Sequence, residues 1–284
     1  MKYSGKYSVL DSGNLQKLEQ VGEHRLIRPA LNAFWEPSLS PREWDKAQGV
    51  FTRNSSGGGD WKWKNGGVPD SWIIEWNLLK LIVKPTGFGH LGFFAEQSDN
   101  WDWLRNTVSS LQKPVTAINM FAYSGGSSLA MASAGAEVCH LDAAKGMNDW
   151  GKLNLEQNPD IPSKIRWITD DVIKFTDREI KRKRKYNGIV LDPPSFGRGS
   201  QKQIWKIEDS IVYLLKSCRK LIDLGNPYFV LFTCHSPGFT PVIMSRILTD
   251  VFTGNCKTEH GEMIVEEETG KMLSAGAYVR LLGK

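Results

Sequence analysis

The sequence has no apolar run near the ~20 residues that a membrane-spanning helix needs, so no helical span is expected. Met1 to Leu10 carries no apolar h-region, which argues against a secretory signal. Cysteine is scarce. Cys139, Cys218, Cys234 and Cys256 are widely spaced with no C-x-x-C pair, so neither a zinc site nor a redox motif is expected. Without an export signal they read as free thiols in a reducing cytoplasm. The G-x-G-x-x-G fingerprint is missing, which counts against a nicotinamide enzyme. No repeat of 20–50 residues is visible.

What is present is an ordinary globular balance, with 40% hydrophobic and 24% charged residues among 284. The net charge of +5 suits a nucleic-acid partner and equally suits a slightly basic enzyme. The eleven tryptophans are expected mostly in packing roles.

The chain reads as two parts. Residues 1–95 are broken by Gly and Pro, with glycine-rich loops at 54–60 and 65–67. Trp61-Lys62-Trp63-Lys64 alternates with the period of a strand and offers a candidate nucleic-acid face, and Asn65-Gly66-Gly67 after it suggests a hairpin turn. Trp72 to Trp76 and Leu78 to Val83 read as further strands, giving a small β-rich N-terminal domain. Residues 96–284 alternate strand and helix. Strands are expected at Val115–Phe121, Glu137–Leu141, Ile165–Ile168, Tyr186–Leu191 and Tyr228–Thr233, and a long helix over Gln201–Leu224. Two last strands, 256–268 and 277–282, should pair antiparallel. The fold class is therefore α/β: a doubly wound, mostly parallel seven-stranded sheet of Rossmann-like type.

The chemistry-bearing residues fall where strands end. Asn119 to Ser128 passes from a strand through Tyr123-Ser124-Gly125-Gly126 into a helix. Glycine there lets backbone approach a ligand, and the helix start offers free N–H donors to a carboxylate. Asp142 ends the second strand, where an acid accepts both hydroxyls of a ribose; capping the next helix is its other role. Asp171, after the third strand, either accepts an adenine amino proton or caps a helix. Asp192-Pro193-Pro194-Ser195-Phe196 is a stiff loop after the fourth strand, joining an acid and a flat aromatic that could stack on a base, and Gly197-Arg198-Gly199 adds a basic continuation. Cys234 follows the fifth strand, as a nucleophile or as a small packed side chain. Lys181 to Lys185 is a basic run at the strands' amino end, read as solvated surface.

In order and spacing these segments resemble class I S-adenosylmethionine (SAM)-dependent methyltransferases, and more closely the bacterial rRNA cytosine carbon-5 methyltransferase family, over about residues 88–284. The family's RNA-binding PUA domain is not recognisable before Gly89. The resemblance implies SAM as cofactor, held by Phe121, Tyr123, Ser124, Gly125, Ser127, Asp142, Asp171 and Asp192. Gln97 lies in a segment, Gly89 to Trp101, similar to one that covers the cofactor. It also implies that Cys234 attacks carbon 6 of cytosine, with His235 or a basic lining lowering its pKa, while Asp192 and Phe196 engage the base. Ribosomal RNA in the cytoplasm is the expected substrate, with no metal and no membrane. An amine methyltransferase and a non-catalytic RNA-binding module on the same fold are the rival readings.

Overall fold

The computed structural model describes every residue except 2, 55, 56, 65, 112, 113, 163 and 199–203. The chain forms two compact units, Met1–Ser98 with Ile264–Ala275, and Asp99–Met263 with Gly276–Lys284.

The first unit is more extensively sheet-built than the sequence suggests. Its elements are β1 (Tyr3–Gly13), β2 (Gln16–Val21), β3 (His24–Pro29), a single turn α1 (Pro41–Trp44), β4 (Gly49–Arg53), β5 (Gly59–Trp63), β6 (Trp72–Trp76) and β7 (Leu79–Val83). They make one sheet in the order β5-β4-β3-β2-β1-β6-β7. Since β5 and β6 are not neighbours, the segment at 65–67 does not close a hairpin between paired strands, and Asn65 itself lies outside the described residues. Two-residue turns at Asn14-Leu15 and Asn77-Leu78 do close hairpins, with all four residues at φ between 46° and 63°. Both central residues at positive φ match the twist of paired strands.

β5 is an edge strand, and its alternation splits the expected face in two. Trp61 and Trp63 stack at 4.7 Å on the side of buried Phe51, while Lys62 and Lys64 alternate with them along the strand. Trp61 thus packs on Phe51, while Trp63, 40% exposed, stacks on Trp61.

Charge is buried in this unit at Glu19. It accepts from Arg28 Nε at 2.6 Å and Tyr7 Oη at 2.6 Å, and lies 3.0 Å from Lys17 Nζ. Burial opposes its charge, but Arg28 and Lys17, with the hydrogen bonds from Arg28 and Tyr7, more than offset this and hold the carboxyl down at about 2. A carboxyl held below its unfolded pKa stabilises the fold above that value and loses the contribution as pH falls through the folded pKa. We therefore expect about 3 kcal/mol of stability to disappear between about pH 5 and pH 2. Urea unfolding of wild type against Glu19→Gln across that window checks it: the gap between the two should shrink with acid, and a constant gap refutes the linkage.

The second unit contains α2 (Ser98–Ser110), β8 (Thr116–Met120), α3 (Gly126–Ser133), β9 (Glu137–Asp142), α4 (Lys145–Glu156), β10 (Ile165–Thr169), α5 (Val172–Lys181) and β11 (Gly188–Leu191). It continues with β12 (Phe196–Arg198), β13 (Ile204–Lys206), α6 (Ile207–Leu221), β14 (Tyr228–Cys234) and α7 (Pro241–Val251), and with most of β15 (Cys256–Glu266) and β16 (Met272–Gly283), whose residues 264–266 and 272–275 fall in the first unit. The order β10-β9-β8-β11-β14-β16-β15 makes a mixed sheet: the pairings from β10 to β14 are parallel, and β14 pairs β16 antiparallel. The fully buried run Tyr228–Cys234 is the nearly all-apolar pattern of a central strand. α5, α6 and α7 share one core with β8, β11, β14 and β16 through Phe175, Leu214, Leu248, Ile118, Ile189, Phe232 and Val279.

The helix expected over Gln201–Leu224 is shorter. Residues 201–203 lie outside the described ones, Ile204–Lys206 pairs as a strand with Phe196–Arg198, and the helix begins at Ile207. The basic run is exposed along its length, and Lys185 Nζ donates to the α6-end carbonyls of Lys220 and Ile222. No helix among the described residues is long and apolar enough to cross a membrane.

Candidate active site

Strand order reverses between β8 and β11, and ligands of open α/β sheets bind beyond the carboxyl ends of strands at such a switch point. β8 delivers the chain there into a turn that few side chains favour. Phe121 and Tyr123 take φ of 56° and 52°, and Gly125 takes 94°. The two non-glycine residues cost of order 1 kcal/mol each and persist because the surroundings fix them. The Ala122 N–H donates to Leu141 O at 3.1 Å, the Tyr123 N–H donates to Asp142 Oδ2 at 2.9 Å, and Asn154 Nδ2 donates to Ser124 O at 3.0 Å. α3 then starts with Gly125 as N-cap, which supplies no side-chain cap to its first turn, where Ser127 sits.

Beneath the turn runs a neutral polar chain that the sequence reading missed. Asn119 Nδ2 donates to Ser128 Oγ at 2.9 Å, and Ser128 Oγ lies 3.0 Å from His140 Nδ1. Burial pushes His140 down to about 3, so it stays uncharged at neutral pH. Its signal in the sequence is a histidine two residues before the acid on an apolar strand.

Asp142 is not the cap of α4, whose N-cap is Ala144. Its Oδ2 takes the Tyr123 N–H and its Oδ1 takes the Ala144 N–H at 2.8 Å. Burial pushes the carboxyl up, and the two N–H bonds pull it back. A carboxylate has about four lone-pair sites, so this acid holds the turn and keeps acceptor capacity for two hydroxyls. Asp171 caps α5, accepting from the Lys174 N–H at 3.0 Å. Gln97 is buried in a 3₁₀ turn, Ala95–Gln97, of the first unit.

Two further loops meet at the same edge. Ser195 Oγ and Ser236 Oγ are 2.7 Å apart, and His235 Nε2 lies 3.6 Å from Asp192 Oδ2. Cys234, buried at the end of β14, accepts from the Ser236 N–H at 3.3 Å. The structure thus brings Cys234 and Asp192 together, with Phe196 half exposed on β12. It corrects the expectation of a lowered thiol pKa: burial pushes the thiol up, the Ser236 bonds oppose that, and the charges of Asp192 and Glu208 add to the rise.

The donor set suits SAM: uncapped helix-start N–H groups for a carboxylate, a buried acid with spare lone pairs for a cis-diol, and a turn with no side chain at Gly125. No cluster of metal-ligating side chains occurs among the described residues.

Comparison with known proteins agrees with this chemistry. A family model described as S-adenosylmethionine-dependent methyltransferase matches residues 40–244. Ribosomal RNA large subunit methyltransferase I of Aeromonas salmonicida is 30% identical over 154 residues, 54% of this chain and 35% of that protein. The protein of that name from Tolumonas auensis is 29% identical over 192 residues, 64% of this chain and 45% of that protein. The chain thus spans less than half the length of these curated relatives. Among solved structures, the SAM-dependent methyltransferase from Agrobacterium tumefaciens has a TM-score of 0.92 at 32% identity, over 100% of this chain and 92% of that one. SMU.776, solved with SAH, shares the fold, with a TM-score of 0.74 at 16% identity over 98% of this chain and 75% of that one.

Proposed function

Since the chain belongs to the family of S-adenosylmethionine-dependent methyltransferases, we propose that its acceptor is RNA, with carbon 5 of a ribosomal RNA cytosine as the target. The observation that carries the carbon-5 reading is the convergence of Cys234 with the Asp192–Phe196 loop at one strand edge. The names of the curated relatives support RNA as the acceptor.

SAM supplies an electrophilic methyl group when bound. The uncapped start of α3 receives its carboxylate and Asp142 its ribose. Asp192 accepts a hydrogen bond from the amino group of the base, and Phe196 stacks on the ring. The Cys234 thiol gives up its proton to solvent, and its sulfur bonds to carbon 6 as the C5=C6 π bond breaks, which moves that electron pair to carbon 5. Carbon 5 takes the methyl group. Loss of the carbon-5 proton to solvent re-forms the C5=C6 bond, breaks the bond from sulfur to carbon 6 and releases Cys234 as thiolate, which solvent reprotonates. The first unit serves as the substrate-recognition element.

One observation favours a second reading, methylation of an exocyclic amine. Burial and the acids Asp192 and Glu208 keep the Cys234 thiol protonated, and an amine acceptor needs no thiolate. The deciding experiment incubates the protein with methyl-labelled SAM and separate pools of unmodified RNA, DNA and protein, then digests the labelled pool to nucleosides for mass spectrometry. 5-Methylcytidine is the expected product. An N-methylated nucleoside selects the second reading, and label confined to DNA or protein overturns both.

A further inference from the structure

Trp205 stands outside every motif in the sequence, in a stretch that reads there as helix. In the structure it is the middle residue of β13, and that strand folds back along β12 with Gly197 opposite Trp205. Its indole N–H donates to Pro194 O at 2.7 Å, inside the Asp192–Phe196 loop. Its ring meets the Phe121 ring with centroids 4.9 Å apart at 57°. Phe121 is the first residue beyond β8 and is held at left-handed φ. One side chain therefore touches both the turn assigned to the methyl donor and the loop assigned to the acceptor. The next link is backbone: the Ile207 N–H donates to Ser195 O at 3.1 Å, tying the start of α6 to the same loop.

These two contacts differ in kind. The hydrogen bond goes to the carbonyl of the second of two successive prolines, so it fixes a segment with few alternative conformations. The ring contact bears on a residue whose backbone conformation survives only if its surroundings impose it. A link between two such segments fixes the distance between them, and methyl transfer is sensitive to that distance. A misplacement of about 1 Å costs roughly a hundredfold in rate.

We infer that Trp205 is a positioning residue that sets the spacing between the SAM turn at Phe121 and the acceptor loop at Asp192. This rests on the assignment of Asp192–Phe196 as the acceptor loop.

The test compares Trp205→Leu and Trp205→Phe with wild type. Trp205→Leu removes the ring contact and the indole donor, and Trp205→Phe restores a ring without the donor. With unmodified ribosomal RNA made by transcription, kcat should fall about 10–100-fold in Trp205→Leu and recover in part in Trp205→Phe. The Kd for SAM by calorimetry and the thermal midpoint should stay near wild type. Amide hydrogen exchange in SAM-loaded protein needs no acceptor, and it should rise at both Ser195–Arg198 and Phe121–Gly126 in Trp205→Leu, but chiefly at Ser195–Arg198 in Trp205→Phe, which keeps a ring against Phe121 and loses the indole donor. Unchanged exchange in both segments overturns the inference. So does a fall in kcat matched by equal losses of SAM affinity and thermal midpoint, which is the mark of ordinary packing. Asp192→Asn, measured alongside, separates the two assignments. If its turnover equals wild type, the acceptor-loop assignment fails; if it is inactive while Trp205→Leu turns over normally, Trp205 alone fails.

Discussion

Replacing Cys234 by Ser or Ala is expected to bring methyl transfer to RNA down to background while leaving the Kd for SAM unchanged. The size of the loss follows from the proposed chemistry. Carbon 5 of cytosine is a weak nucleophile, and in the proposed chemistry the bond from sulfur to carbon 6 is what activates it, so losing the thiol removes that activation. Serine fills nearly the same space at the end of β14 and keeps an acceptor for the Ser236 N–H, so the fold should persist. The raised thiol pKa sets the pH dependence. The thiolate is the attacking species, so the single-turnover rate should climb with pH through and beyond the ordinary thiol range. RNA carrying 5-fluorocytosine provides a direct readout, because fluorine at carbon 5 does not leave as a proton does. Wild type should accumulate a protein–RNA adduct on denaturing gels, and Cys234→Ala should form none. Full activity in Cys234→Ala removes the covalent mechanism and leaves amine methylation.

Legibility from sequence followed the strength of the local signals. Short apolar strands divided by helices mark the second unit, because strands buried on both faces are mostly apolar, as residues 228–232 are. The candidate site residues after β8, β9 and β11 stand out in the sequence because they end or follow apolar strands, where open α/β sheets bind their ligands. The first unit was harder. Its strands over residues 3–29 carry a weaker signal, because the β1–β2 turn places Leu15 at positive φ where glycine is the usual marker. Trp205 was hidden because the apolar periodicity of α6 runs back into the preceding strand, and pairing with Phe196–Arg198 decides the matter in three dimensions. The opposed faces of Trp61 and Lys62 were implicit in the period of two, yet only the position of β5 at the sheet edge, over Phe51, shows which of them packs.

Asp142→Ala is expected to weaken SAM binding by about 3 kcal/mol, roughly a hundredfold in Kd. Two losses combine. The variant gives up the carboxylate acceptors for the ribose hydroxyls, and it leaves the N–H groups of Tyr123 and Ala144 without the oxygens that now receive them at 2.9 and 2.8 Å. Tyr123 is at positive φ, so the turn that carries Gly125 loses its anchor as well. Asparagine does not rescue both sides, because its amide nitrogen would face one of those N–H donors. The two losses separate in a double cycle with an adenosyl ligand lacking both ribose hydroxyls. Wild type should bind that ligand far more weakly than SAH, whereas Asp142→Ala should bind the two with similar affinity. If the variant still loses as much as wild type when the hydroxyls are removed, Asp142 shapes the turn without touching the sugar, and the diol must be held by another group.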